Sequence, residues 1–174
     1  VQILWINLIT AVTLGLALAF EPTETGTMAR PPRARHAPIL SGELVWHVIL
    51  VATLFLAAVF GVFTYALDKG HPLPLAQTMA MNTLVGLDIF HLFFIRNIHS
   101  TSLTWAAAKG TRVVWTVVVI VTAAQFAVTY LAPLQALLGT APVSLFDGFL
   151  IVGIGAAFFA VIEIEKQIRL GLKS

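Results

Sequence analysis

Residues 44–67 read LVWHVILVATLFLAAVFGVFTYAL and contain neither Asp, Glu, Lys nor Arg. A helix that crosses a membrane needs about 20 consecutive, mostly apolar residues, and this stretch is long enough. Inside lipid every backbone N–H and C=O must be paired within its own segment, and the run is too long and uniform for a barrel strand. We therefore predict membrane helices, five in all, at residues 1–20, 44–67, 75–95, 113–131 and 145–162.

The composition of the whole chain supports this prediction. Of its 174 residues 59% are hydrophobic and 10% are charged, and the mean hydropathy is +0.93. An average soluble domain is roughly 45–50% apolar and about 25% charged, so a soluble domain and a disordered chain are both disfavoured. The absence of cysteine excludes disulfides, thiolate metal sites and cysteine nucleophiles. The predicted fold class is all-α, a single polytopic transmembrane bundle over residues 1–174.

The placement of Lys and Arg predicts the orientation. Nine of the ten basic residues fall on one side of the predicted spans, which should be cytoplasmic. They are Arg30, Arg33, Arg35, Arg96, Lys109, Arg112, Lys166, Arg169 and Lys173. The N-terminus is then outside and the C-terminus is cytoplasmic. Because the chain begins inside an apolar segment, with no initiator Met and no basic flank, we expect it to be the C-terminal part of a longer protein.

Asp88 is the acidic residue that lies well inside a predicted span. A charge at the centre of a membrane helix costs at least about 2.5–3.5 kcal/mol on insertion scales, and such residues usually face a bundle interior or an ion path. The alternative is a protonated or hydrogen-bonded structural aspartate. His91 follows three residues later on the same helical face and is a possible modulator of Asp88. These two residues alone do not complete a transition-metal site.

The first predicted span carries Asn7, Thr10 and Thr13 among apolar residues. Asn7 and Thr10 share one face of a helix, whereas Thr13 points elsewhere. Neutral oxygens of this kind help to coordinate hard cations. Equally, they form hydrogen bonds between membrane helices, and both interpretations stay open. Trp5, near the start of the span, is interpreted as an interfacial anchor.

Small residues recur at fourfold spacing on two spans. They are Thr53, Ala57 and Gly61 on the second span and Gly153 and Ala157 on the fifth. This spacing lets helix backbones approach closely, so we predict packing within one bundle, with a dimer interface as the alternative.

Charged residues mark the two ends of the fifth span. Glu163, Glu165, Lys166 and Arg169 have the spacing of opposite-charge pairs and are interpreted as a solvated helix end. Asp147 is interpreted as a cap at the outer end, where an acceptor suits the exposed N–H groups.

Two sequence motifs resemble a known family. Residues 2–10 read QILWINLIT and residues 19–22 read AFEP. Together they resemble the sixth membrane helix of type II P-type cation pumps, typically Q-(L/I)-L-W-x-N-L-(I/V)-T-D and ending in F-x-P. Residues 28–33, MARPPR, are similar to the family's link to the seventh helix. The resemblance implies that the five spans correspond to helices six to ten.

The resemblance also implies site residues. In the family the sixth helix supplies an Asn, a Thr and an Asp to the cation sites; Asn7 and Thr10 match the first two, and Ala11 stands at the Asp position. An acidic residue at the place of Asp88 in the eighth helix helps to hold a cation. The implied cation-site residues are therefore Asn7, Thr10 and Asp88. Sodium, potassium, calcium, manganese and protons remain candidate cations, and the missing carboxylate argues mildly against tight divalent binding.

The family's Asp-Lys-Thr-Gly-Thr phosphorylation motif does not occur in this sequence. The resemblance thus implies ATP and Mg²⁺ for the parent protein, with no catalytic site in this chain. The implied partners are the lipid bilayer, the N-terminal helices and cytoplasmic domains of the parent, and the transported cation, in the plasma membrane and without nucleic acid. The predicted function is the C-terminal membrane domain of an ATP-driven cation pump. The alternative is a non-enzymatic membrane module, such as a channel, a secondary transporter or an anchor.

Overall fold

The computed structural model describes residues 1–20, 42–95 and 112–171, and these ranges are helical and contain no strand. The predicted all-helical fold is therefore confirmed. The elements in chain order are α1 (Gln2–Asn7), a π-helical segment (Leu8–Leu14), α2 (Gly15–Ala19), α3 (Gly42–Asp68), α4 (Leu73–Ile95), α5 (Arg112–Tyr130), α6 (Ala132–Leu138) and α7 (Leu145–Gly171).

Among the described residues four helices are long and apolar enough to cross a membrane, namely Leu44–Asp68, Leu73–Ile95, Arg112–Tyr130 and Leu145–Arg169. They correspond to the four predicted spans from residue 44 onwards. The N-terminal stretch is helical but shorter, and its first helix passes into the π-helical segment at Leu8. The fifth span therefore stays a prediction. The orientation also stays a prediction, because Arg30, Arg33, Arg35, Arg96, Lys109 and Lys173 lie outside the described residues.

The connection between α5 and α7 contains the short helix α6, which the sequence did not predict. Pro133 lies in the first turn of α6, where its missing N–H and fixed φ are compatible with a helix. Gly139 ends the helix in the left-handed region, at φ 66°, which glycine adopts without a Cβ clash.

Helix α4 lies at the centre of the bundle. It packs against α3 and α7 on one side and against α1, the π-helical segment and α5 on the other. The outer helix α3, in contrast, has large apolar side chains on its surface, such as Phe60, which is 61% exposed. An exposed apolar face of this kind suits hydrocarbon better than water. The central position of α4 places Asp88 within the bundle.

The close contact between α4 and α7 involves a small residue that we did not single out. A Cβ atom on Gly155 would lie 2.5 Å from two ring carbons of Phe90, so the glycine makes room for that ring. By comparison, Gly153 and Ala157 are exposed, as are the three small residues on α3. The prediction that these small residues pack within the bundle was therefore wrong for the part of it that the structure describes.

At both ends of α7 the structure corrects the interpretation of the sequence. At the N-terminal end the Asp147 N–H donates to Ser144 Oγ over 3.1 Å, and Ser144 Oγ donates to Asp147 Oδ2 over 2.6 Å. The cap is thus Ser144, with Asp147 in the first turn. Toward the C-terminal end Glu163 is 1% exposed and Lys166 is 0% exposed. The interpretation as a solvated helix end was wrong, because these two charges form an ion pair inside the bundle.

Candidate cation site

Asp88 lies in the middle of α4, on the side that faces the π-helical segment. Val85 and Leu92 flank it at positions i−3 and i+4, and both belong to the core cluster that contains Ile9 of the π-helical segment. The carboxylate is partly buried, and no hydrogen bond or ion pair to it occurs among the described residues. A carboxylate in this position can bind a cation or a polar group that lies outside the described residues.

Asn7 and Thr10 lie at the junction between α1 and the π-helical segment. Asn7 is the last residue of α1 and is exposed, whereas Thr10 is partly buried within the π-helical turn. The Thr10 hydroxyl donates to the carbonyl oxygen of Ile6 over 2.9 Å, which leaves the lone pairs of its oxygen available as acceptors. Single-turn π-helical segments are frequent at functional sites, because the wider turn interrupts the regular ladder of backbone hydrogen bonds.

The three predicted ligands therefore lie on neighbouring elements. The π-helical segment packs against α4, so that Thr10 and Asp88 lie on two elements in contact. Within the described ranges, no hydrogen bond joins any two of Asn7, Thr10 and Asp88, and no group of three His, Cys, Asp or Glu side chains could hold a metal ion. A cation site here would depend on neutral oxygens in addition to the one carboxylate.

His91 lies in an aromatic cluster between α3, α4 and α7. Its ring centroid is 5.8 Å from that of His47, 6.0 Å from that of Phe55 and 6.2 Å from that of Phe158. Its Nε2 is buried without a hydrogen-bond partner in the described part of the chain. The contacts of His91 are thus with aromatic rings of α3, α4 and α7, and its role as a modulator of Asp88 stays a prediction.

An open cleft of about 810 Å³ lies next to the candidate ligands, between α1, α3, α4 and α6. Its lining includes Ile6, which precedes Asn7, and Leu84, which lies one turn before Asp88. Two glutamines also line the cleft, the partly buried Gln2 and the exposed Gln77. The lining does not include Asn7, Thr10 or Asp88 themselves.

A polar network next to the candidate ligands was not predicted. The Trp5 indole Nε1 donates to Gln125 Oε1 over 3.0 Å, and Gln125 Nε2 donates to Asn82 Oδ1 over 2.5 Å. Thr129 Oγ1 lies 3.2 Å from Asn82 Oδ1, and its shorter hydrogen bond, of 2.8 Å, goes to the backbone carbonyl oxygen of Gln125. A signal for this network was present in the sequence, because Asn82 and Gln125 are amides inside long apolar runs. Trp5 is thus a hydrogen-bond donor to α5, and its interpretation as an interfacial anchor stays a prediction.

The comparisons with known proteins agree with this architecture. Residues 1–168 match the family model described as "Cation transporting ATPase, C-terminus". The chain is 40% identical over 161 residues to the "Probable cation-transporting ATPase F" of Mycobacterium tuberculosis (strain ATCC 25618 / H37Rv), an alignment that covers 92% of this chain and 17% of that protein. It is 27% identical over 177 residues to the "Calcium-transporting ATPase 1" of Schizosaccharomyces pombe, covering 97% and 19%. It is 26% identical over 166 residues to the "Calcium-transporting ATPase type 2C member 2" of Mus musculus, covering 95% and 18%.

The chain spans less than a fifth of the length of these relatives. Its apolar helices and its relatives identify an integral membrane protein. Because the family model covers residues 1–168, the chain belongs to the P-type cation-transporting ATPases and corresponds to their C-terminal membrane region.

Proposed function

We propose that this chain contributes Asp88, Asn7 and Thr10 to the cation site of an ATP-driven pump. The observation that carries the proposal is the position of Asp88 on the face of α4 toward the π-helical segment, without a cationic partner among the described residues. A carboxylate at this depth costs at least about 2.5–3.5 kcal/mol on insertion scales, and a bound cation would offset that cost. The relatives named as calcium-transporting ATPases support a metal cation as the cargo.

Each proposed ligand supplies oxygen of a different kind. Asp88 contributes the negative charge, Asn7 an amide oxygen and Thr10 a hydroxyl oxygen, which together suit a hard cation. The side chain of Ala11 provides no oxygen, so the site has little negative charge with which to bind a divalent ion. Ligands from the remainder of the full-length protein complete the coordination in this proposal.

The rest of the chain supports these ligands. In the proposed topology the chain crosses the plasma membrane five times, from an external N-terminus to a cytoplasmic C-terminus, with α3, α5 and α7 around α4. ATP hydrolysis and its Mg²⁺ belong to the larger part of the protein that precedes these helices in the relatives. Membership of a pump family favours this function over a non-enzymatic membrane module.

Replacing Asp88 in the full-length pump tests the proposal. We expect Asp88→Asn to raise the cation concentration for half-maximal ATPase activity by about tenfold or more, because the charge of the ligands sets the affinity of an oxygen site. The matched control is Asp68→Asn, at the exposed end of α3. Sodium, potassium, calcium, manganese and protons are tested in turn. An unchanged cation dependence for all five would reject Asp88 as a ligand.

A further inference from the structure

The side chain of Gln125 joins α1 to α4 through the interior of the bundle. Gln125 on α5 is 8% exposed, and both ends of its amide are used. Its oxygen accepts the Trp5 indole N–H over 3.0 Å, and its nitrogen donates to Asn82 Oδ1 over 2.5 Å. These two bonds connect residues that are 120 and 43 positions away from Gln125 in the sequence.

The chemistry of the three groups fixes the direction of these bonds. An indole N–H only donates, so that Trp5 requires the oxygen of the Gln125 amide. The amide nitrogen then points to Asn82, whose oxygen accepts this bond. If the Gln125 amide were flipped, its NH2 group would face the Trp5 indole N–H, and two donors would meet without an acceptor. The bridge therefore has one satisfied arrangement, and that arrangement holds α1 and α4 at a defined separation.

In the sequence, the two ends of the bridge lie close to the candidate ligands on α1 and α4. Trp5 precedes Asn7 by two residues in α1, and Asn82 precedes Asp88 by six residues in α4. A second attachment holds the start of α1, since Gln2 Nε2 donates to the carbonyl oxygens of Leu138 and Gly139 over 3.1 and 3.2 Å. The α-helical turns of α1 are thus held at two points, and the π-helical segment begins directly after them.

We propose that Gln125 is a positioning residue for the cation site, which holds the Trp5 turn of α1 against α4 so that Asn7 and Asp88 stay in register. Gln125 itself does not touch the cation. This role rests on the proposed function of Asp88 and Asn7. Because the bridge is complete within the chain, its loss weakens cation binding without removing a ligand.

Two substitutions in the full-length pump break the bridge in different ways. Gln125→Leu removes both hydrogen bonds, whereas Trp5→Phe removes only the indole N–H and keeps an aromatic ring. The control is Thr116→Val, since Thr116 is an exposed residue of α5 whose hydroxyl donates to the carbonyl oxygen of Arg112 in the same helix over 2.8 Å. Each variant is assayed for kcat and for the cation concentration at half-maximal ATPase activity (KM), next to Asp88→Asn.

We expect Gln125→Leu to raise the cation KM roughly 3- to 15-fold, the range that hydrogen bonds between membrane helices produce. The kcat at saturating cation should stay unchanged, as for loss of an interaction that contributes equally to the ground and transition states. Trp5→Phe should shift KM in the same direction. The double substitution should be no worse than Gln125→Leu, because both changes break one bridge. Thr116→Val should leave KM unchanged.

Three results would overturn the positioning role. The first is an unchanged KM in both Gln125→Leu and Trp5→Phe, and the second is a fall in kcat alone, which indicates only a structural role. The third is a change in KM for the double substitution that equals the product of the two single changes, which indicates that the two residues act independently. If Gln125→Leu does not fold, Trp5→Phe decides between these outcomes. A normal KM for Asp88→Asn would reject the proposed cation site, and the positioning role with it; a raised KM for Asp88→Asn alone would reject only the role of Gln125.

Discussion

The buried ion pair between Glu163 and Lys166 should dominate the stability of the C-terminal end of α7. Lys166 Nζ lies 2.7 Å from Glu163 Oε2, and the side chains are 0% and 1% exposed. The ammonium group also lies 4.7 Å from the centroid of the Phe94 ring on α4, so that it connects α7 to the central helix. We consider the substitution Lys166→Met, which keeps an unbranched side chain and removes the charge.

Removal of one partner from a buried ion pair leaves a charge in a medium that solvates it poorly. The cost of such a change is about 3–5 kcal/mol. In this case Glu163 keeps other partners, among them Gln167 Nε2, which donates to Glu163 Oε1 over 2.8 Å, and this favours the lower end of that range. Even about 3 kcal/mol is a large share of the roughly 5–15 kcal/mol that stabilises a typical folded domain. The double substitution Glu163→Gln with Lys166→Met should recover most of the loss, because neither charge is then buried.

The assay is the residual ATPase activity of the detergent-purified, full-length pump after heating at a series of temperatures. The matched control is Lys69→Met, since Lys69 is an exposed lysine that lies over the rings of Tyr65 and Phe146, 4.7 and 5.0 Å from their centroids. A hydrogen bond with Tyr65 raises the pKa of Lys69, so that the control also removes a positive charge. Equal stability of Lys166→Met and Lys69→Met, or a double variant no more stable than Lys166→Met, would refute the reasoning.

Two further predictions concern the packing and the capping of α7. Gly155→Ala should lower the free energy of unfolding by about 1–3 kcal/mol, because its Cβ would overlap the Phe90 ring. Gly153→Ala, with no atom within 4 Å of its Cβ, serves as the control in the same heating assay; similar stability of the two variants would contradict the close contact. Ser144→Ala should cost about 1 kcal/mol through loss of the N-cap to Asp147. Ser144→Thr keeps the hydroxyl and should retain most of the stability, and an Ala variant as stable as the Thr variant would argue against the cap.

The site residues differ in how readily they can be selected from the sequence alone. Asp88 could be selected from the sequence, because a carboxylate within an apolar run is unusual whatever it contacts. Asn7 and Thr10 could be selected through the family motif around them. The bridge from Trp5 through Gln125 could not be predicted, because its partners are far apart in the chain and its geometry exists only after three helices have packed. The π-helical turns after Asn7 likewise leave no mark in the composition.

Hydropathy is a property of consecutive residues, and it was therefore sufficient to predict helices for α3, α4, α5 and α7 and to limit the chain to a membrane fold. Hydropathy does not determine how each helix is rotated about its own axis. A membrane helix is apolar on all sides, so that its periodicity does not identify the face that packs. Packing alone selected Gly155 over Gly153 for the contact with α4 and turned Glu163 and Lys166 inward, where their attraction offsets the cost of leaving water.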